Sequence, residues 1–575
     1  MAREIGRRGV LAGAAGAASA AVAGGGLFSG TAAATPRAPA GTDAPAGADA
    51  APAVSVRPSD PRYAELTTGV NRRWVGTPDE VRLVRTTEQV MAAVEEAVRD
   101  GKRLTVRGGG HCLADFVYHP DVDLVIDMSL MNEVSFDERA NAFAVEAGAT
   151  LMNVYDTLYK GWGVTIPGGM CYSVGIGGHV SGGGYGLLSR LHGLTVDHLH
   201  AVEVVVVDGS GNVRSVVATR EPGDPDRDLW WGCAGGGGGN FGVITRYWFR
   251  TPGALEKQRA RGASGIDPGQ LLVRPPEEVL VQAISLPWDQ LDARGFRRLV
   301  QNAGTFFEAN SSPDSPYASL SGAFPFTHRA SGGIGVFTQI DATLPDAERL
   351  LGAYVRAITD GVGATPEPAV RPMGELGALP EFAEPARLPW LRATRRLGTS
   401  SPMVTDPAIR SDHHSAYVRK GLPDHHIDRI HSWLSSDTVD NPLSMVILHL
   451  IGGAIDRVAP GDTAVAQRDS LFKLLYQSMW QSPADDAANI AWTQGVYRAV
   501  YAETGGVPVP NGVTDGCYIN YPDSGADDPD ANTSGLSWQQ LYHKENYPRL
   551  RQVKARWDPR NVFHHGQSIE LPADR

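Results

Sequence analysis

Glycine sets the strongest limit on what this chain can fold into. Sixty-seven of its 575 residues are glycine, and many fall in a few short stretches. These are Arg107-Gly-Gly-Gly-His111, Gly168-Gly-Met-Cys171, Gly175-Ile-Gly-Gly-His-Val-Ser-Gly-Gly-Gly-Tyr-Gly186, and Gly238-Gly-Asn-Phe-Gly-Val-Ile-Thr245. Such segments have little side chain to pack, but they let backbone amides lie against a ligand. The imidazole of His111 and the thiol of Cys171 stand on them, sixty positions apart. A nitrogen and a sulfur nucleophile on that kind of backbone suit a large anionic cofactor held by bonds to carbon as well as by hydrogen bonds.

The length predicts two domains plus appendages. A net charge of −12 argues against a nucleic-acid partner, because phosphate binding needs concentrated Lys and Arg and no basic stripe is present. Residues 1–34 read as an export signal of the Tat type: Arg7-Arg8, an Ala/Gly-rich apolar run from Gly9 to Phe28, and small residues at Ala32 to Ala34 suited to cleavage. The run is too weakly hydrophobic for a stable membrane anchor, so a secreted, extracellular protein is expected, with the Tat machinery as its export partner. Residues 35–57, rich in Ala, Pro and Gly as far as Ala53, read as a disordered linker. The four cysteines could form two disulfides in three connectivities. Cys112, Cys233 and Cys517 also suit small buried side chains, whereas the glycine-built surroundings of Cys171 set it apart.

Strand Glu80 to Arg85, helix Thr86 to Asp100 and strand Leu104 to Val106 deliver the chain to Gly108. The helix has Thr86 and Gln89 as a capping box, an apolar face of Val90, Ala93, Val94, Ala97 and Val98, and Gly101 as its stop. Further strands are expected at Leu124 to Asp127, Ala142 to Gly148 and Val202 to Asp208, and a helix at Leu151 to Lys160. Beyond Pro252 come strand Gly335 to Asp341, helix Asp346 to Thr359, strand Met445 to Ile451 and helix Pro483 to Thr504. Strands backed by helices leave one face of a sheet free as a floor for substrate.

The glycine segments, together with Tyr518-Ile-Asn-Tyr521-Pro-Asp523 and the closing Lys554-Ala-Arg-Trp-Asp-Pro-Arg-Asn-Val-Phe563, resemble the berberine-bridge-enzyme branch of FAD-linked oxidases. The resemblance runs from about Arg62 to Phe563, with only Thr365 to Ser411 lacking a clear counterpart. It implies an α+β fold: a two-part FAD-binding domain of the PCMH type over residues 58–254, and an α/β substrate domain over 255–540 with an antiparallel sheet backed by helices. Residues 541–575 would return to the FAD domain. His111 would carry the flavin 8α-methyl carbon and Cys171 the flavin C6, making FAD bicovalent. Arg107, Gly108 to Gly110, Gly175, Gly177, Gly178 and Gly182 to Gly184 would line the cofactor, with Asn240, Gly242 and Val243 toward its adenosine side. His179 and Asn520 would contact the flavin, and Val174 would gate oxygen.

The same resemblance implies an oxidase that converts a secondary alcohol of a sugar or glycosylated metabolite to a carbonyl. Hydride would pass to flavin N5 and O2 would be reduced to H2O2. One of Tyr518 and Tyr521 would take the hydroxyl proton, with Tyr185 assisting. A free phenol, with a pKa of about 10, is a poor base at neutral pH unless a nearby cation or the flavin's polar edge stabilises phenolate. On a strand, residues three apart face opposite ways, which would leave only one of the pair in the pocket. A branch of the family that oxidises glycosylated metabolites uses a second catalytic tyrosine on a substrate-domain strand. The comparable strand here, Met445 to Ile451, carries His449 but no tyrosine, so a single oxidation is expected.

Other chemistries remain as alternatives. The first is a dehydrogenase with another acceptor, and the second a secreted binding protein that keeps flavin but has lost catalysis. A metalloenzyme using His111, Cys112 and His119 lacks zinc-site spacing. A Rossmann site fails because Gly182 to Gly184 open no clear βαβ crossover and no acidic residue stands where a ribose ligand belongs.

Overall fold

The computed structural model describes residues 52–262 and 265–573. The export signal and nearly all of the linker lie outside these residues. The linker ends sooner than expected, because Val54–Val56 is a strand, antiparallel to Glu80–Leu83. Val56 is buried in a small core with Val81, Val122 and Val125, while Val54, on the same face two residues earlier, is exposed at the strand's outer end.

Three sheets organise the chain. The first has four strands in the order Val54–Val56, Glu80–Leu83, Leu124–Asp127, Leu104–Arg107. Its last three run parallel, as the crossover helix Thr87–Asp100 requires. The cap and the stop of that helix are as the sequence predicts, with Thr86 Oγ1 accepting from the Gln89 amide and Gly101 left-handed at φ 65°, but the capping box is not closed, because Gln89 Oε1 accepts from the Arg85 amide instead of that of Thr86. The second sheet is antiparallel, with Val134–Asp137, Ala142–Glu146, Val243–Phe249, Leu199–Val207 and Val213–Thr219 in that order. The third joins eight strands from residues 278–480, with Glu278–Pro287, Gly333–Asp341, Ser321–Thr327, Ser444–Leu450, Phe472–Trp480 and Arg410–Val418 adjacent in that order. The architecture is α+β, of the FAD-binding PCMH type.

Alternation along the large sheet builds two different faces. Val446, Leu448, Leu450, Leu474 and Tyr476 point into a core shared with helices Ala293–Ala309, Ala347–Thr359, Asp424–Leu434 and Asp486–Val500. Met445, Ile447, Leu475 and Met479 point the other way, and His449, Lys473 and Gln477 share that second face by register. The largest apolar core crosses from the second sheet to the third, joining Phe143 and Val204 with Val279 and Phe337.

Candidate active site

One cavity of about 400 Å3 lies among the four glycine segments, the second face of the large sheet and the Tyr518–Tyr521 turn. Its size is that of an ordinary cofactor or ligand site.

The glycine wall is a meeting of two loops. The strand Leu104–Arg107 ends in Gly108 to His111, and the Cys171 loop leads into the short helix Ile176–Ser181. Gly109 and Gly175 touch backbone to backbone, so a Cβ on either would collide with the main-chain nitrogen of the other. This contact brings the two nucleophile loops together. His111 Nε2 lies 2.8 Å from Ser173 Oγ, two residues past Cys171, and both nucleophiles line the cavity. Burial, with the Arg107 guanidinium nearby, lowers the His111 pKa to about 4, so its imidazole is neutral. Burial also pushes the Cys171 thiol up to about 12, and the Glu375 charge adds to this. All four cysteines are unpaired.

Most of the predicted cofactor residues line the cavity: Gly108 to Gly110, Val174, Gly175, Gly177, Gly178, His179, Asn240, Gly242, Val243 and Asn520. Gly178 lacks any atom within 4 Å of a would-be Cβ, leaving open space where a ligand can abut bare backbone. The predicted Arg107 and Gly182 to Gly184 are not on that wall. Arg107 pairs with the buried Asp127 below it. Gly182 is glycine because the Asn520 side chain lies against it, while Gly183 and Gly184 make room for Val465 and for His179 with Thr195. These three glycines serve packing, which a run of identical residues cannot distinguish from ligand contact. His179 Nε2 accepts from the Gly169 amide at 3.2 Å, steadying the loop that carries Cys171, and burial lowers its pKa to about 4.

The opposite wall is built of titratable side chains. Tyr518 to Tyr521 is a tight turn, closed by the Tyr521 N–H bonding to the Tyr518 carbonyl at 2.9 Å. The expectation that the two phenols face opposite ways therefore fails: their rings are 5.0 Å apart and both line the cavity. The Tyr185 hydroxyl is 2.8 Å from that of Tyr521, and Asn520 Nδ2 donates to the Tyr518 hydroxyl at 3.2 Å. Asp523 anchors the turn from below, pairing with His414 at 2.8 Å. Asp523 and Asp412 together raise the His414 pKa to about 10 against the pull of burial.

Two residues that sequence reasoning missed support this wall, Glu375 on the cavity surface and Lys473 against the phenol rings that line it. Lys473 Nζ stands 2.8 Å from the ring centroid of Tyr185 and 3.6 Å from that of Tyr518. Its signal was a single Lys within the apolar run Leu471 to Trp480. Glu375 comes from the stretch Thr365 to Ser411 that had no counterpart. Burial raises its pKa to about 7, opposed by Lys473 and by a hydrogen bond to Gln477. Burial holds all three phenols well above their ordinary range and drives Lys473 well below its own. An ammonium over an aromatic face is favoured by the ring quadrupole, and Glu375 favours the charged form of Lys473. These two effects oppose the desolvation.

Comparison with known proteins decides the family. Residues 78–214 match the model of an FAD binding domain, and residues 517–570 match that of berberine and berberine-like proteins. The chain is 46% identical to aclacinomycin-N/aclacinomycin-A oxidase of Streptomyces galilaeus, over 90% of each chain. The chain belongs to the berberine-like FAD-linked oxidases. It is also 33% identical to hexose oxidase of Chondrus crispus, over 89% of this chain and 93% of that one. The solved structure of a glycopeptide hexose oxidase complexed with teicoplanin superposes with a TM-score of 0.82 at 45% identity, covering 90% of this chain and 99% of that one. The protein is an FAD-linked oxidoreductase acting on CH–OH groups, and the cavity wall of bare glycine backbone fits the cofactor that this implies.

Proposed function

We propose that this protein oxidises a secondary alcohol of a sugar or glycosylated metabolite to a carbonyl, with FAD bonded at His111 and Cys171 and O2 reduced to H2O2. The observation that carries the reading is the hydrogen-bonded Tyr185–Tyr521 pair, with Lys473 against the Tyr185 ring, in the same cavity as the two nucleophiles. The substrate class is supported by relatives named for a hexose, for aclacinomycin and for a glycopeptide.

FAD, when bound, supplies the two-electron acceptor for hydride from the substrate carbon and hands those electrons to O2. The protein's own residues do the rest. His111 is neutral, and its Nε2 is engaged by Ser173, which leaves Nδ1 as the nitrogen to bond carbon. Double attachment would fix the ring without walling off its reactive face, so preorganisation replaces enclosure. The Tyr185 and Tyr521 hydroxyls would orient the substrate alcohol and receive its proton. Lys473, over the Tyr185 and Tyr518 rings, lowers the cost of negative charge on their oxygens. The twin arginine at Arg7-Arg8 and the apolar run after it support export by the Tat route to the cell exterior.

The test is made on holoprotein purified after expression with its complete N-terminus. Acid precipitation should leave the yellow colour on the protein, and peptide mass spectra should carry flavin at both His111 and Cys171. Anaerobic bleaching by free sugars, oligosaccharides or aromatic glycosides, followed by peroxide release on admitting air, tests the reaction. Colour freed entirely by acid would refute the attachment. Bleaching with no peroxide would mark a dehydrogenase, and no bleaching by any sugar or glycoside a silent binding protein.

A further inference from the structure

Oxidation of an alcohol releases a proton as well as a hydride, and the cavity has to put that proton somewhere. Most titratable groups around it are badly matched to receive it near neutral pH, where a useful base has a pKa close to the working pH. Burial holds the phenols of Tyr185, Tyr518 and Tyr521 far above and the imidazoles of His179 and His449 at about 4 and 3. Glu375 alone among these cavity groups stands at about 7.

Its placement is built by the fold. Met373 and Leu376 exchange backbone hydrogen bonds, N–H to carbonyl in both directions, at 2.8 and 3.3 Å. Gly374 and Glu375 thus form the tip of a two-residue turn. Gly374 takes φ +70°, the left-handed region that favours glycine, and packs on Met445, Pro325 and Ile447. The turn is pinned to the large sheet and presents Glu375 to the cavity. Its carboxyl accepts a hydrogen bond from Gln477, and four titratable groups are close enough for its charge to act on them: Lys473 from the sheet, Cys171 from the glycine wall, Tyr185 from the loop after the short helix, and Tyr521 from the tyrosine turn. Lys473 Nζ lies against ring faces rather than phenol oxygens. Burial pushes its pKa well below the ordinary range, but its place against the ring faces puts it out of line with the phenol protons, so K473M is the control that separates its titration from that of Glu375.

We infer that Glu375 is the terminal proton acceptor of the oxidation, reached from the substrate through the Tyr185–Tyr521 pair. The inference rests on the reading of this cavity as an alcohol-oxidising site. The substrate O–H bond breaks toward one phenol oxygen of the pair, a phenol proton crosses to a carboxylate oxygen of Glu375 directly or through one water, and the carbon's hydrogen leaves as hydride for FAD. Both electrons go with the hydride, the carbonyl is neutral, and the proton rests on Glu375 until reduction of O2 consumes it.

The experiment uses flavin-loaded wild type, E375Q, E375D and K473M, each checked for bound flavin by its absorbance. Anaerobic bleaching is followed against pH with D-glucose, lactose and 4-nitrophenyl β-glucoside, and infrared spectra of the substrate-free holoproteins are taken over the same range. E375Q should slow bleaching by about a hundredfold or more with KM changed by less than roughly threefold. It should also remove the inflection near neutral pH, and E375D should restore it. A protonated-carboxyl band should titrate near neutral pH in wild type and be missing from E375Q. Three results would overturn the assignment: a raised KM at unchanged kcat in E375Q, an unchanged pH profile, or an inflection that K473M abolishes and E375Q keeps. If wild type bleaches with none of the three probes, the alcohol-oxidising reading falls and takes the relay with it. The infrared band separates that failure from a Glu375 that does not titrate.

Discussion

The two walls of the cavity hold their contents by opposite means. The glycine wall works through backbone, with two neutral nucleophiles and no carboxylate on its surface. The wall across from it works through side chains: three phenols, a carboxyl and His449, with the Lys473 amine packed against the rings. The first wall needs shape, and shape depends on the absence of Cβ atoms. The second needs charge, and charge there depends on neighbours. Substitutions should therefore fail differently on the two sides, in chemistry on one and in assembly on the other.

The largest effect is expected on the charged wall. Tyr521→Phe removes the hydroxyl that Tyr185 contacts and should lower the anaerobic bleaching rate by about 10²- to 10⁴-fold, with bound flavin and melting temperature close to wild type. A loss below tenfold would move the proton transfer elsewhere. On the glycine wall, Gly109→Ala puts a methyl group into the Gly175 backbone. It should cost on the order of 3 kcal/mol, read as a lower urea midpoint and poor flavin retention. A soluble, fully flavinylated Gly109→Ala protein would break the contrast.

Smaller effects sharpen it. Asp523→Asn leaves His414 without its nearer counter-charge beneath the tyrosine turn, with Asp412 still beside it, and should cost about 2 kcal/mol, lowering kcat while leaving flavin attachment intact. The smallest is a slope. Burial holds His179, His413 and His449 at about 4, 3 and 3 in the fold, whereas the unfolded chain takes up those protons near pH 6.5. The unfolded state binds more protons below that pH, so stability should fall as pH drops from about 6.5 toward 4. His414 acts the other way. With its pKa raised to about 10, its stabilisation is complete below about pH 6.5 and is lost as pH rises through 10. Melting curves should fall off on both sides of neutrality, and His414→Gln should flatten the alkaline limb alone.

The same contrast explains what could be read in advance. The glycine wall was legible because the spacing of glycines around His111 and Cys171 is itself the structure. Even so, Gly182 to Gly184 misled, since glycine serves packing and ligand contact alike. Tyr518 and Tyr521 were identified, but their shared direction was not, because a turn and a strand are hard to tell apart over four residues. Lys473 sits within an apolar strand, and only the pairing register shows which face it takes. Glu375 could not be found at all, because its role depends on a two-residue turn and on a sheet about seventy to a hundred residues further along the chain. Local propensity carried the helix Thr87–Asp100 almost to the residue, since its cap and its stop lie in its own sequence.

The final stretch of the chain touches both walls. His565 Nε2 meets the Gly238 carbonyl at 3.0 Å, Gln567 donates to the Asp523 carbonyl at 2.7 Å, and the Ile569 amide donates to Asn240 Oδ1 at 2.8 Å. These bonds tie the glycine segment at Gly238 and Asn240 to the tyrosine turn at Asp523. Cutting the chain before His565 would remove all three bonds at once and free the Gly238–Asn240 segment from the tether it shares with the tyrosine turn.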